Sequence, residues 1–340
     1  MSDEPVVTTA LERAIVSQPD ELERLLSVPL PHDSVERLKQ AHRIWLVGTG
    51  TSQHAAELGA TMFHDAGRAA HAMSSMHFVN WAPPIDPHDA VIVISHNAGA
   101  ETSYAAAAYT MGMDAGLRVL AITRRGGGLQ GALETVEQER SHTYTVSYTS
   151  VLVLLARLAH ELGAGTYAPD ALARVPDAVR AAIADPGIDD IPQPVRLLLL
   201  FGSGPASVTA REGALKVREA ARFPAEGYDA EYLLHGSAVP LTSSDRLVSL
   251  SPPDTGGLTE AVARAAETEG IAVARVTETA DLPPVLAQIP LTARVQLLAL
   301  RFASERGQNP DLVIEGAWAD EDLWAIGAPP APPGYARSLP

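Results

Sequence analysis

Short, unbroken apolar runs recur along the chain, each breaking into a glycine- or serine-bearing turn and then into a longer segment of helical character. The first half holds Ile44-Trp-Leu-Val-Gly48, Val91-Ile-Val-Ile-Ser95 and Gly116-Leu-Arg-Val-Leu-Ala-Ile-Thr123; the second holds residues 197–201, Leu247-Val-Ser-Leu-Ser251 and Gly270-Ile-Ala-Val-Ala-Arg-Val-Thr277. Runs this short and continuous suit strands buried on both faces of a parallel sheet, with the intervening segments as crossover helices. Residues 55–66, 102–115, 149–162 and 297–305 read as helices, as does 11–26, with an interruption expected near Pro19.

The runs of the second half repeat those of the first at nearly constant offsets of 154, 156 and 154 positions. The expected fold class is therefore α/β: a duplicated unit, giving two tandem domains, each a doubly wound, flavodoxin-like parallel sheet flanked by helices. The expected organisation is an N-terminal helical segment (1–35), a first domain (36–165), a proline-bearing linker with one helix (166–195), a second domain (196–306) and a tail without packing pattern (307–340).

At 340 residues, with 46% hydrophobic and 19% charged positions, the chain has material for two packed cores. No stretch approaches the roughly 20 apolar residues of a membrane helix. The formal charge of −16, with no basic run, argues against nucleic-acid and membrane partners. It leaves open a small anion held by backbone N–H groups at helix starts. The absence of cysteine excludes disulfides, thiolate metal sites and a cysteine nucleophile. The acidic Met1-Ser-Asp-Glu-Pro5 has no signal-peptide core, so the cytoplasm is the expected location. The eleven histidines are scattered without metal-ligand spacing, and neither a metal nor a cofactor is expected; a lone histidine such as His54 reads as packing or surface.

Two strand-to-helix junctions carry hydroxyl and amide side chains: Gly48-Thr49-Gly50-Thr51-Ser52, and Ser95-His96-Asn97 through Thr102. At the carboxyl edge of a parallel sheet such loops suit a phosphate, although either alone is also an ordinary turn or helix cap. Walker and dinucleotide spacings are absent. Further on, Glu212, Lys216 and Glu219 stand at i, i+4 and i+7 of a helical segment, followed by Glu226 and His235. A solvated, salt-bridged helix face is one reading of that spacing; groups that move protons on a polar substrate are the other. Lysine occurs only here and at Lys39, which favours a wanted, tunable ammonium at Lys216.

As a set, Glu212-Gly-Ala-Leu-Lys216 through Glu219, Ala225-Glu226 and His235-Gly236 resemble the double sugar-isomerase (SIS) module, specifically the isomerase half of glucosamine-6-phosphate synthase and its relatives. The resemblance spans roughly residues 10–310. It implies a sugar-phosphate or amino-sugar-phosphate enzyme working by C1–C2 proton transfer, as aldose–ketose isomerase, deaminase or deglycase. Glu219 would be the base, Lys216 its tuning ammonium, and His235 a ring-opening group donated to the neighbouring subunit of a homodimer. Gly50, Thr51, Ser52, Ser95, His96, Asn97, Thr102, Glu139 and Glu226 would bind the substrate.

The departures are Val146 where the family has a lysine, His96 and Asn97 for Gln and Ser, and no lysine after Lys216. No glutaminase segment is recognised, so glutamine hydrolysis by that route is not expected. The alternatives are a non-catalytic sugar-phosphate sensor and a subunit paired with a separate glutaminase.

Overall fold

The structure is a computed structural model that describes residues 8–81, 84–97, 104–127, 129, 131–252, 257–312, 316, 319–320 and 322. In chain order its elements are α1 (Ala10–Ser27), α2 (His32–Lys39), β1 (Arg43–Gly48), α3 (Thr51–Asp65), β2 (Ala69–Ser74), α4 (Ser75–Trp81), β3 (Ala90–Ile94), α5 (Ala105–Asp114), β4 (Arg118–Thr123), β5 (Leu133–Glu134) and α6 (Val146–Glu161). There follow α7 (Pro169–Leu172), α8 (Val175–Ala184), β6 (Leu198–Gly202), α9 (Pro205–Ala221), β7 (Ala225–Asp229), α10 (Ala230–Tyr232), β8 (Arg246–Ser251), α11 (Leu258–Thr268), β9 (Ala272–Thr277) and α12 (Gln288–Glu305).

The strands form two all-parallel sheets, in the orders β2-β1-β3-β4-β5 and β7-β6-β8-β9. The fold is thus α/β, with helices flanking both sheets. The central strands β1, β3, β6 and β8 fall on the apolar runs and are buried along most of their length, as strands covered on both faces must be.

Three local features recur in both halves. Gly50, before α3, has φ 55° and ψ −129°; Gly204, before α9, has φ 57° and ψ −127°. These are conformations that glycine alone adopts without strain. At the other end of β1, Arg43 forks onto Asp89 through Nε (3.1 Å) and Nη2 (2.8 Å) and donates Nη2 to the carbonyl of Pro84. At the start of β6, Arg196 forks onto Asp245 and donates to the carbonyl of Pro240. Each aspartate is fully buried, and the bidentate guanidinium supplies the charge-assisted bonds it needs there.

The segment between the sheets is packed structure: Val175, Val179 and Ala182 of α8 are buried. Helix α1 serves both cores, with Leu22 and Leu25 in that of the first sheet and Leu11 and Ile15 in that of the second. The interruption expected near Pro19 does not occur; α1 runs unbroken through it. Proline deprives the Ile15 carbonyl of its helical N–H partner, and the side-chain amide of buried Gln18 replaces it at 3.1 Å. The same Gln18 amide reaches Gln296 on α12 (2.9 Å), while its oxygen accepts from Thr149 on α6 (2.8 Å).

Candidate functional site

Strand β1 pairs with β3, Val47 opposite Val93, so the loops that follow both strands leave the sheet side by side. From β1 the chain crosses to β2 on one side, and from β3 to β4 on the other. This switch point is where open parallel sheets bind ligands, because the two loops part and leave a crevice. A cavity of about 260 Å³ lies there, lined by Thr49, Gly50, Thr51 and Ser52 from the first loop and Ser95, His96 and Asn97 from the second. Thr123, Thr135, Tyr144, Ser147 and Tyr148, with apolar Ala55, Ile94, Ile122 and Val151, complete the wall on the first-sheet side. Leu215 and Glu219 of α9 reach it from the second half of the chain.

The first loop is tight by necessity. A Cβ on Gly48 would stand 2.7 Å from the backbone of Ser52, so only glycine lets the strand turn directly into α3. The second loop is tied to β4, its His96 carbonyl accepting from Arg124 N–H and the Thr123 hydroxyl (both 3.2 Å). The His96 Nε2 accepts the backbone N–H of Glu139 at 3.2 Å, which leaves the proton on Nδ1 and the ring neutral. Burial, and then the charge of Arg124, push its pKa down to about 4. Neither His96 Nδ1 nor the Tyr148 hydroxyl has a hydrogen-bond partner among the described residues. Burial, reinforced by the Glu212 and Glu57 carboxylates, keeps the Tyr148 phenol protonated.

Glu139 does not line the cavity. Its buried carboxylate accepts from the backbone N–H groups of Thr145 (3.0 Å) and Ser147 (2.9 Å) and so caps the start of α6. Burial raises its pKa against those hydrogen bonds and the charge of Lys216.

The acid–amine–acid face of α9 is mostly removed from water. Glu212 and Lys216 side chains are 0% exposed and Glu219 20%, which replaces the solvated-face reading with a buried cluster. Lys216 Nζ lies 2.6 Å from Glu219 Oε2 and 3.5 Å from Glu212 Oε1. Burial works against the ammonium, but the Glu212 and Glu219 carboxylates outweigh it and hold the lysine pKa above its ordinary value. For Glu219 burial wins, and its pKa is raised in spite of Lys216. For Glu212 it loses: Lys216 and the hydrogen bond from His54 hold that carboxyl below its usual range.

Sequence reasoning missed how Glu212 is held. It accepts from Thr51 Oγ1 (3.1 Å) and lies 2.6 Å from His54 Nδ1, both on α3. One turn along, Arg211 and Glu57 pair across the same α3–α9 seam. The partners are more than 150 positions apart, and a lone histidine carries no local signal of such a contact.

The structure therefore brings Gly50, Thr51, Ser52, Ser95, His96, Asn97 and Glu219 to one cavity, with Lys216 directly behind Glu219. Glu226 and His235 are exposed and outside this lining, the Glu226 carboxylate accepting from Tyr228 (2.9 Å). Thr102 lies outside the described residues. Among the described residues no three His, Asp or Glu side chains stand as a metal site, and no helix is long and apolar enough to cross a membrane.

Residues 37–160 match the family model described as SIS domain. The chain is homologous to part of the isomerizing glutamine–fructose-6-phosphate aminotransferases. It is 28% identical over 318 residues to that of Chlorobaculum tepidum, covering 82% of this chain and 51% of that protein. It is 25% identical over 309 residues to that of Thermococcus kodakarensis, covering 81% and 51%. The chain thus spans about half the length of these curated relatives.

Among solved structures, it is similar in fold to the C-terminal domain of glucosamine-fructose-6-phosphate aminotransferase from Francisella tularensis (TM-score 0.77, 16% identity, 92% of this chain and 100% of that one). It is also similar to tagatose-6-phosphate ketose/aldose isomerase from Escherichia coli (0.76, 18%, 93% and 100%) and to glucosamine-6-phosphate deaminase from Thermotoga maritima (0.74, 18%, 89% and 97%).

Proposed function

We propose that this chain is a sugar-phosphate or amino-sugar-phosphate enzyme acting by C1–C2 proton transfer, an aldose–ketose isomerase or an amino-sugar-phosphate deaminase or deglycase. The observation that carries the reading is one cavity with two chemically different walls. Hydroxyl and backbone donors on the loops at 49–52 and 95–97 face a half-buried carboxylate, Glu219, backed by a buried ammonium. The first wall suits the phosphate, held by Ser52, Ser95 and Asn97; Thr102, outside the described residues, is proposed as a further phosphate ligand. The second suits the carbons to be isomerised.

Glu219, its pKa raised by burial, takes the proton from one carbon and returns it to the next. Lys216 stabilises the negative charge that develops on the enediol or enolamine. His235, exposed and outside the cavity of its own chain, serves ring opening in the neighbouring subunit of a homodimer. Residues 36–165 and 196–306 are two tandem SIS domains; the shared strand order, the Gly50 and Gly204 turns and the two Arg–Asp forks support the second.

The deciding experiment is incubation with hexose, hexosamine and fructosamine phosphates in deuterated water, read by NMR. Deuterium entering C1 or C2 in the wild type, and lost in Glu219→Gln with binding retained, is the expected result. Exchange that persists in Glu219→Gln overturns the base assignment. Binding of a panel member without exchange in the wild type identifies a sensor instead.

A further inference from the structure

We propose that His54 is a positioning residue for Glu219: by holding Glu212 from the α3 side of the seam, it leaves Lys216 closer to Glu219. The proposal deepens the proton-transfer reading and rests on Glu219 being its base. One buried ammonium is shared unequally between two carboxylates, 2.6 Å from Glu219 and 3.5 Å from Glu212. Left to themselves, two carboxylates on one helix face would compete evenly for it. The balance is broken because Glu212 has other donors: His54 at 2.6 Å on Oε2 and Thr51 at 3.1 Å on Oε1.

A fully buried carboxylate that loses a donor pays the desolvation cost of the lost bond unless another donor moves in. The ammonium already 3.5 Å away is that donor. Without His54, Lys216 turns towards Glu212, and Glu219 stays buried with less of its cation. Without the Glu212 charge, Lys216 belongs to Glu219 alone and a repelling neighbour disappears.

The other charged or titratable groups around Glu219 and Lys216 do not take over this role. Arg218 of α9 donates to the carbonyl of Ala225. Arg211 is paired with Glu57. Glu139 is consumed at the start of α6. The Tyr148 phenol is neutral.

The test needs no substrate. The Glu219 carboxylate is titrated by carbon-13 NMR in the unliganded protein with labelled glutamate, the resonance being assigned by its loss in Glu219→Gln. His54→Leu is expected to raise its midpoint by about one pH unit, the size of shift a neighbouring opposite charge gives when it moves away. His54→Asn, whose side-chain amide stands where Nδ1 does, is expected to restore it. Glu212→Gln is expected to move it the other way, downwards.

An unmoved midpoint in His54→Leu, or a shift of the same sign in Glu212→Gln, overturns the proposal. Where His54→Leu fails to fold, the comparison of His54→Asn (unchanged) with Glu212→Gln (lowered) decides in its place, and an unmoved Glu212→Gln overturns it. A shifted titration in a protein that exchanges no proton with any sugar phosphate faults the proposed function and not this inference. An unshifted one faults the inference and leaves that function standing.

Discussion

Replacing Lys216 by methionine keeps an unbranched side chain, one atom shorter, and removes its charge, leaving Glu212 and Glu219 facing each other across a dry gap. With the ammonium 2.6 Å and 3.5 Å from the two carboxylates, the attractions are worth roughly 6 and roughly 5 kcal/mol at an effective dielectric of about 20. Most of that sum is already offset by the cost of burying three charges, and part of the remainder is recovered when a stranded carboxyl takes up a proton. Breaking one side of a buried ion pair costs about 3–5 kcal/mol on balance, and that is the loss of stability expected here.

Its pH dependence carries a sign. In wild type Lys216 lowers the pKa of both carboxyls; without it both should titrate higher in the folded state, so the folded variant should hold protons to higher pH than wild type does. The deficit against wild type is therefore smallest near pH 5 and grows as pH rises through the raised values. Urea unfolding of both proteins at pH 5 and pH 8 measures it, and Glu212→Gln in the same chain should restore part of the loss. A deficit below about 1 kcal/mol, the worth of a surface pair, or one equal at both pH values, refutes the buried-cluster account.

Two further outcomes follow from particular side chains. His96 has a depressed folded-state pKa, so the wild type should lose stability as pH falls from its ordinary 6.5 towards about 4; His96→Gln should flatten that slope in thermal melts. Gln18→Leu strands the Ile15 carbonyl and the Gln296 side-chain oxygen in a dry core and leaves the Thr149 hydroxyl only the Val146 carbonyl at 3.3 Å; urea unfolding should show a loss of about 1–3 kcal/mol.

The central strands were legible because burial on both faces writes an unbroken apolar run. The edge strands β2 and β7 were not, since residues such as His71, Glu226 and Asp229 stay partly or fully exposed and leave no such run. The two-residue β5 is too short for any period to register. In the site, both loops and the Glu212–Lys216–Glu219 spacing could be read, because each is local in the chain. His54 could not, its partner lying 158 positions away. The continuity of α1 was misread because proline is a helix breaker only where its orphaned carbonyl finds no substitute, and Gln18 supplies one.

On the proposed two-domain reading, the matching turns at Gly50 and Gly204 set up two equivalent places for a site, and among the described residues the cavity with hydroxyl-bearing loops lies at the first. At an offset of 154, Thr51 and Ser52 correspond to Pro205 and Ala206, which offer no hydroxyl. Glu212 and Lys216 correspond to Leu58 and Met62, both packed in the first core. Each copy has surrendered what the other kept, so neither domain expressed alone should bind and turn over a substrate, and mixing the two separated domains is the complementation that would restore the whole.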